Sequence, residues 1–285
     1  TATKTGYVPG SGQKTAKSLE AAHEFGFENV TRIEGGFRAH LTNFAANDAF
    51  EWAIEGQTAG SANLNQATGI VTVTGLANGA TASVTVSAKR ADYADGIKSQ
   101  SGQALSDPRT PQFGTPQATA DGFTVQISNW GGNGAGFHWS GTATATTHPV
   151  DISDSGLVTV TGVNPDTLST ATITTTKTGY LNGHAGVGWT SLKAAWPVVF
   201  GNAVAQFDGF QVPVTNYNSD FTYHASATNT NDPIEVSNDG SVVVTGVAPG
   251  ITSVLTVTTT RTGHATGRQT KSDSAVQGVA LTPIF

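Results

Sequence analysis

The stretch "GLVTVTGVNPDTLSTATITTTKTGY", Gly156–Tyr180, decides the fold. Val158 and Val160 alternate with Thr159 and Thr161. After the turn phrase "GVNPDT", Ala171 and Ile173 alternate with Thr172 and Thr174. Period-2 alternation of apolar and polar residues gives a strand one dry face and one wet face. The Pro and Gly between the two runs, and the "TGYLNG" after them, read as turns.

The same pattern extends in both directions. Upstream, Phe123, Val125 and Ile127 alternate with polar residues, and so do Phe137 and Trp139. "HPVDISDSG" then reads as a turn region. Downstream, a last strand falls near Ala185–Leu192, and a short entry strand near Phe113 precedes the set. Seven short strands within one unit, with frequent turn signals, describe a sandwich of two antiparallel sheets. Only "KSLEAAHEF" near Leu19 and "SLKAAW" near Leu192 suggest a helical turn.

The unit recurs. "GIVTVTGL" at Gly69–Leu76, "GLVTVTGV" at Gly156–Val163 and "GSVVVTGV" at Gly240–Val247 are 87 and 84 residues apart. Gly36-Phe37, Gly122-Phe123 and Gly209-Phe210 keep the step, as do Asn43-Phe44, Asn129-Trp130 and Asn216-Tyr217. So do "FEW" at Phe50, "FHW" at Phe137 and "FTY" at Phe221. A fixed period of this kind marks tandem domains. The expected boundaries are 23–109, 110–194 and 195–281. Each core would hold inward aromatics: Phe37, Phe50 and Trp52; Phe123, Phe137 and Trp139; Phe210, Phe221 and Tyr223.

The opening "TATKTGY" matches "TTTKTGY" at Thr174–Tyr180 and "TTTRTGH" at Thr258–His264, with Lys4, Arg90, Lys177 and Arg261 equivalent. Residues 1–22 are therefore expected to be the last two strands of a further unit upstream. Residues 282–285 are expected to begin another, since Phe285 continues the series Phe27, Phe113, Phe200. The absence of Met, even at residue 1, agrees with a processed chain or a piece of a longer one.

Composition narrows the function classes. Only 12% of the 285 residues are charged and the net charge is −6, which offers no basic surface to a nucleic-acid backbone. No apolar run approaches the roughly 20 residues of a membrane-spanning helix. Cys is absent, so disulfides, zinc thiolates and thiol catalysis are excluded. An abundance of small polar residues with little charge suits an extracellular protein.

"VTGLANGATASVTVSAKRADY" (Val73–Tyr93), "VTGVNPDTLSTATITTTKTGY" (Val160–Tyr180) and "VTGVAPGITSVLTVTTTRTGH" (Val244–His264) resemble a region of fibronectin type III and bacterial immunoglobulin-like repeats. There a Thr-Gly-Leu phrase and a Pro-Gly-Thr turn precede an alternating strand. The sequence departs from that pattern at one point. Ala82, Ser169 and Ser253 stand in the neighbourhood where those repeats usually carry a tyrosine. The resemblance implies a stalk in a large secreted or surface-attached protein, often an adhesin.

Enzyme chemistry finds no footing. There is no Gly-x-Ser-x-Gly elbow and no phosphate-binding Gly-x-x-x-x-Gly-Lys-Ser/Thr phrase. The glycine-rich "NWGGNGAGF" at Asn129–Phe137 reads as a hairpin connection. The seven histidines do not recur at equivalent positions. Acidic residues recur at turns, as in Asp121-Gly122, Asp154, Asp208-Gly209 and Asp239-Gly240, where Asp bonds its own backbone. Calcium at unit junctions is the metal alternative, although "SDPRTP" at Ser106 brings one carboxylate and "SLKAAWP" none.

Trp130, Trp189 and Trp196 are candidates for stacking on a sugar, while the equivalence of Trp130 with Phe44 and Tyr217 favours a repeated structural plug. The faces Thr142–Thr144–Thr146 and Thr170–Thr172–Thr174–Thr176 fit ordinary solvated strands better than an ice-binding plane, because sandwich sheets twist. They also suit O-linked sugars, and "NVT" at Asn29 is the one N-linked sequon.

The sequence thus predicts a non-enzymatic, all-β array of Ig-like or Fn3-like sandwiches with no cofactor, acting as a spacer or stalk outside the cell. Its expected partners are neighbouring repeats of the same chain. Two alternatives remain open. One is a self-assembling fibre or virion subunit joined to like subunits by strand addition, and the other is a module binding host or surface glycans or proteins.

Overall fold

A computed structural model describes residues 2–9, 11–47, 49–131 and 135–277. The first repeat contains β1 (Phe27–Ile33), β2 (Gly36–Leu41), β3 (Glu51–Gln57), β4 (Ser61–Asn65), β5 (Ile70–Thr74), β6 (Thr81–Lys89) and β7 (Gly96–Gln103). These form two sheets, β1-β2-β5-β4 and β3-β6-β7. Every pairing between strands is antiparallel.

The second repeat contains β8 (Gln117–Thr119), β9 (Gly122–Gln126), β10 (His138–Ala143), β11 (Asp151–Ile152), β12 (Leu157–Val160), β13 (Leu168–Thr176) and β14 (Gly183–Thr190). Its sheets run β11-β12-β9-β8 and β10-β13-β14. The third contains β15 (Val204–Gln206), β16 (Gly209–Pro213), β17 (Thr222–Ala227), β18 (Ser241–Val244), β19 (Thr252–Thr260) and β20 (Gly267–Ser274). Its sheets are β15-β16-β18 and β17-β19-β20, and a single bridge from Val236 to Val242 stands where the other repeats have a fourth strand.

Lettered A to G, the strands of the first two repeats form an ABED sheet over a CFG sheet. That is the constant-type immunoglobulin arrangement. The chain is therefore all-β, with tandem Ig-like sandwiches. By compactness it falls into two units, residues 1–109 with 176–182, and residues 110–175 with 183–285.

The alternation read from the sequence is the alternation of burial. Along β13, Ser169, Ala171, Ile173 and Thr175 face in, and Thr172 faces out. Phe37, Phe123 and Phe210 are fully buried, and Trp52 and Trp139 nearly so. Burying such side chains contributes roughly 1.5–3 kcal/mol each. Phe221 is also buried, while Phe50 and Phe137 are partly buried against their cores. Tyr223 packs half-buried against the third core, and its hydroxyl accepts the Asn218 N–H at 2.9 Å. A tyrosine at a core edge needs such a polar outlet.

Several expectations are corrected. The segments near Leu19 and Leu192 form no helical turn; each makes a single parallel bridge, at Glu20 and at Lys193. Among the described residues before Phe27 there is no strand, only single bridges at Ala2 and Glu20. The two strands expected in residues 1–22 are therefore not formed among the described residues. Residues 282–285 lie outside the described residues, as does part of the Asn129–Phe137 loop.

Thr144 also does more than face solvent. Its Oγ1 accepts the Thr170 N–H at 3.0 Å, as Thr58 does for Ser83 at 2.9 Å and Thr228 for Val254 at 2.9 Å. A threonine at the end of each C strand thus caps its neighbouring F strand. In the neighbourhood where the resembling repeats usually carry a tyrosine, Ser169 and Ser253 donate to the carbonyls of Thr144 and Thr228.

Candidate functional site: the linker joint

The recurring "K/R-x-G/D-Y/H" phrase is a tight turn. Tyr93 N–H donates to Arg90 O at 3.2 Å, Tyr180 to Lys177 at 3.1 Å and His264 to Arg261 at 3.1 Å. The third residue of each turn is left-handed: Asp92 at φ 64°, Gly179 at 83° and Gly263 at 79°. Gly adopts that conformation without cost and Asp tolerates it, which explains the residue types found there.

Each turn receives a linker residue, and every contact described here lies within one of the two units. In the first unit, Glu20 donates its N–H to Asp92 O at 2.8 Å and accepts the Ala94 N–H at 2.9 Å. Also in the first unit, Ser106 donates to Gly179 O at 2.9 Å and accepts from Leu181 at 2.9 Å. In the second unit, Lys193 donates to Gly263 O at 2.9 Å and accepts from Ala265 at 2.9 Å. These are the parallel bridges Glu20–Tyr93, Ser106–Tyr180 and Lys193–His264. Glu, Ser and Lys make the same two bonds because only the backbone takes part. Side-chain reading could not have found these positions.

Cations and rings surround the turns. The Arg90 guanidinium lies 4.9 Å from the Tyr93 ring centroid and 5.6 Å from that of Phe50. Lys177 lies 5.1 Å from Tyr180, and Arg261 lies 5.4 Å from Phe221. His23 packs on Phe50 at 4.5 Å, and the equivalent Trp196 stacks on Phe221 at 5.7 Å. The Trp196 indole N–H donates to Asn216 O at 3.2 Å.

The repeated Asn-aromatic pair holds the incoming linker. Asn43, Asn129 and Asn216 donate their amides to the carbonyls of Glu24 (3.0 Å), Thr110 (2.8 Å) and Pro197 (3.1 Å). Asn129 and Asn216 also accept the N–H of Gln112 (3.0 Å) and Val199 (2.7 Å). The aromatic residue next to each Asn then sits over a glycine at positive φ. A Cβ at Gly156 would lie 2.6 Å from the Trp130 ring, and one at Gly69 would meet Phe44 in the same way. Trp130 packs on Trp139 at 4.8 Å and donates to Asp154 O at 3.1 Å.

The three candidate stacking tryptophans therefore sit in different surroundings, and among the described residues they make no ring contact with one another. Trp130 is wedged between Gly156 and Trp139. Trp189 stands 40% exposed near the end of β14, opposite Ser169. Trp196 is 38% exposed and lines a groove of about 420 Å³ in the second unit, with Asp166, Lys193, Phe221, Arg261 and His264.

Charges elsewhere are surface features. Lys89 and Glu55 pair at 2.6 Å on the first repeat, and the Ser87 hydroxyl also donates to Glu55. The hydrogen bond from Lys89 holds the Glu55 carboxyl below its ordinary value, and the same bond raises Lys89. Among the described residues no group of three or more His, Asp or Glu side chains is placed to hold a metal, and no helix is long and apolar enough to cross a membrane.

No protein-family model and no curated protein matches the chain. Among solved structures, it is similar to extracellular domains 3–5 of Drosophila OTK, with 12% identity, TM-score 0.28, and 91% of this chain and 100% of that one covered. It is also similar to the FN1–FN3 domains of chicken CNTN1, with 11% identity, TM-score 0.31, and 91% and 99% covered. A third is mouse cadherin-23 EC22–24, with 13% identity, TM-score 0.26, and 92% and 97% covered. At scores this low, the fold rests on the strand pairing inside each repeat.

Proposed function

We propose that this chain is a structural spacer, a stalk segment of an extracellular or cell-surface repeat protein of the adhesin type. The observation that carries the reading is the threefold recurrence of one joint: a linker residue bonded by its backbone to a cation-flanked turn, with an asparagine holding the chain beyond it. Side chains that recur at one period with structural contacts suit a part whose task is to hold distance. Domain arrays of this kind have stability close to a sum of repeat terms and neighbour terms.

Stretching single molecules of the full chain tests this. Each repeat should give its own force peak and release about 28–31 nm of extended chain, less its folded span. A single all-or-none event, or extension without peaks, would sink the spacer reading. The second reading is a glycan- or protein-binding module, favoured by the open groove beside Trp196. A glycan array on which binding is retained by the wild type and lost in Trp196→Ala would support it.

A further inference from the structure

The joints share one plan, and around Lys193 the sequence departs from it at four positions that meet in one groove. Lys193 stands where the other joints have Glu20 and Ser106, Trp196 where they have His23 and Arg109, and His264 where they have Tyr93 and Tyr180. Asp166 stands where the first and third repeats have Gly79 and Gly250. Asp166, Gly79 and Gly250 are all left-handed, at φ 56°, 72° and 74°, a conformation that glycine takes freely and aspartate merely tolerates. Their backbone role is also the same, since their N–H groups donate to the carbonyls of Leu192, Leu105 and Ala275. The fold thus accounts for a glycine at 166 and leaves the carboxylate unexplained.

The four residues line the groove of about 420 Å³ together with Phe221 and Arg261. The Trp196 ring is held in place from within the chain. Phe221 stacks on it at 5.7 Å with the planes 21° apart, its indole N–H is bonded to Asn216 O, and the residue is still 38% exposed. The polar groups around it are of opposite kinds. The Lys193 ammonium can only donate and the Asp166 carboxylate can only accept. Among the described residues neither side chain has a hydrogen bond or an ion pair. Arg261 keeps Asp220 as its partner at 3.1 Å.

That set selects a ligand by exclusion. An anion would meet the Asp166 carboxylate, and a cation would meet Lys193 and Arg261. An apolar ligand would strip water from both charges and replace none of it. A polyhydroxylated ring suits them all, because each hydroxyl both donates and accepts and the C–H face of the ring buries against the indole. We propose that the groove binds a neutral pyranose, with the sugar ring on Trp196, one hydroxyl accepting from Lys193 and another donating to Asp166. The proposal rests on the binding-module reading of this groove and adds the class of ligand and the groups that select it.

The test is a dense array of glycans ending either in neutral hexoses or in uronic acids, probed with the full chain. Binding should favour the neutral ends. Asp166→Gly, Lys193→Ser and Trp196→His each install the residue that another repeat or joint carries at that position, so the backbone of the joint is kept, and circular dichroism should find unchanged sheet content. The first two should each weaken binding roughly tenfold or more, the worth of one hydrogen bond to a charged group, and Trp196→His should abolish it. Binding by Asp166→Gly or Lys193→Ser equal to that of the wild type overturns the proposal. So does retention of the uronic ends alone; if that binding is lost in Trp196→His, the groove remains a binding site and only the neutral ligand falls. Binding to neither set overturns the neutral sugar and the glycan-binding reading together, and leaves the spacer reading to the stretching experiment.

Discussion

Replacing Lys193 by proline removes one N–H from a joint and leaves the rest of the chain intact. In the wild type that N–H donates to Gly263 O at 2.9 Å, and Lys193 O accepts the Ala265 N–H at 2.9 Å. Both bonds link the end of the second repeat to the last hairpin of the third. A net contribution of about 0.5–1.5 kcal/mol per bond gives a coupling of about 1–3 kcal/mol, a small share of the 5–15 kcal/mol typical of a domain. Lys193→Pro should lose about half of it, close to 1 kcal/mol, or roughly 4–8 °C in the midpoint of a domain this size. Lys193→Ala keeps the N–H and should change stability by less than about 0.5 kcal/mol. Hydrogen exchange followed by mass spectrometry on the full chain resolves the repeats. The proline variant should exchange about five- to tenfold faster in β19 and β20, with no change in the first repeat. Equal exchange in the proline and alanine variants would show that the backbone bond does not couple the repeats.

Trp139→Ala should cost about 3–5 kcal/mol in denaturant unfolding of the second repeat, and Thr172→Ala on the exposed face less than about 0.5. Thr144→Ala should fall between them, near 1 kcal/mol, because it strips the Thr170 N–H of its acceptor; parity with Thr172→Ala would disprove the cap. Gly156→Ala should cost at least about 1–2 kcal/mol for the left-handed backbone alone, and it should perturb Trp130 fluorescence as the new Cβ meets the ring. An unaltered spectrum would mean the ring does not lie there. Glu55 is held low by Lys89, so its contribution is present above the ordinary carboxylate range and fades as pH falls through the depressed value. In Lys89→Gln, carbon NMR should find the Glu55 titration moved up, and an unmoved midpoint would rule out the pair as its cause.

Much of this was legible in the sequence. The period came from "VTG" phrases and Gly-Phe pairs. The strands came from Val-Thr alternation, and the core from Phe37, Phe123 and Phe210, because a period-2 pattern is itself the statement of which side is dry. The importance of Asn129 and Trp130 was visible as recurrence, though what they hold was not. The Thr58, Thr144 and Thr228 caps were hidden among threonines that strand propensity alone explains. The joint was hidden more deeply. Glu20, Ser106 and Lys193 share no chemistry in their side chains, and what they share is a position where an extended backbone meets a left-handed turn. Local sequence determined strands, turns and cores, since those depend on neighbours one to four residues away. The pairing of Lys193 with Gly263 and Ala265, about seventy residues along the chain, was decided only by the tertiary structure, because a backbone N–H carries no signature of the partner it will find.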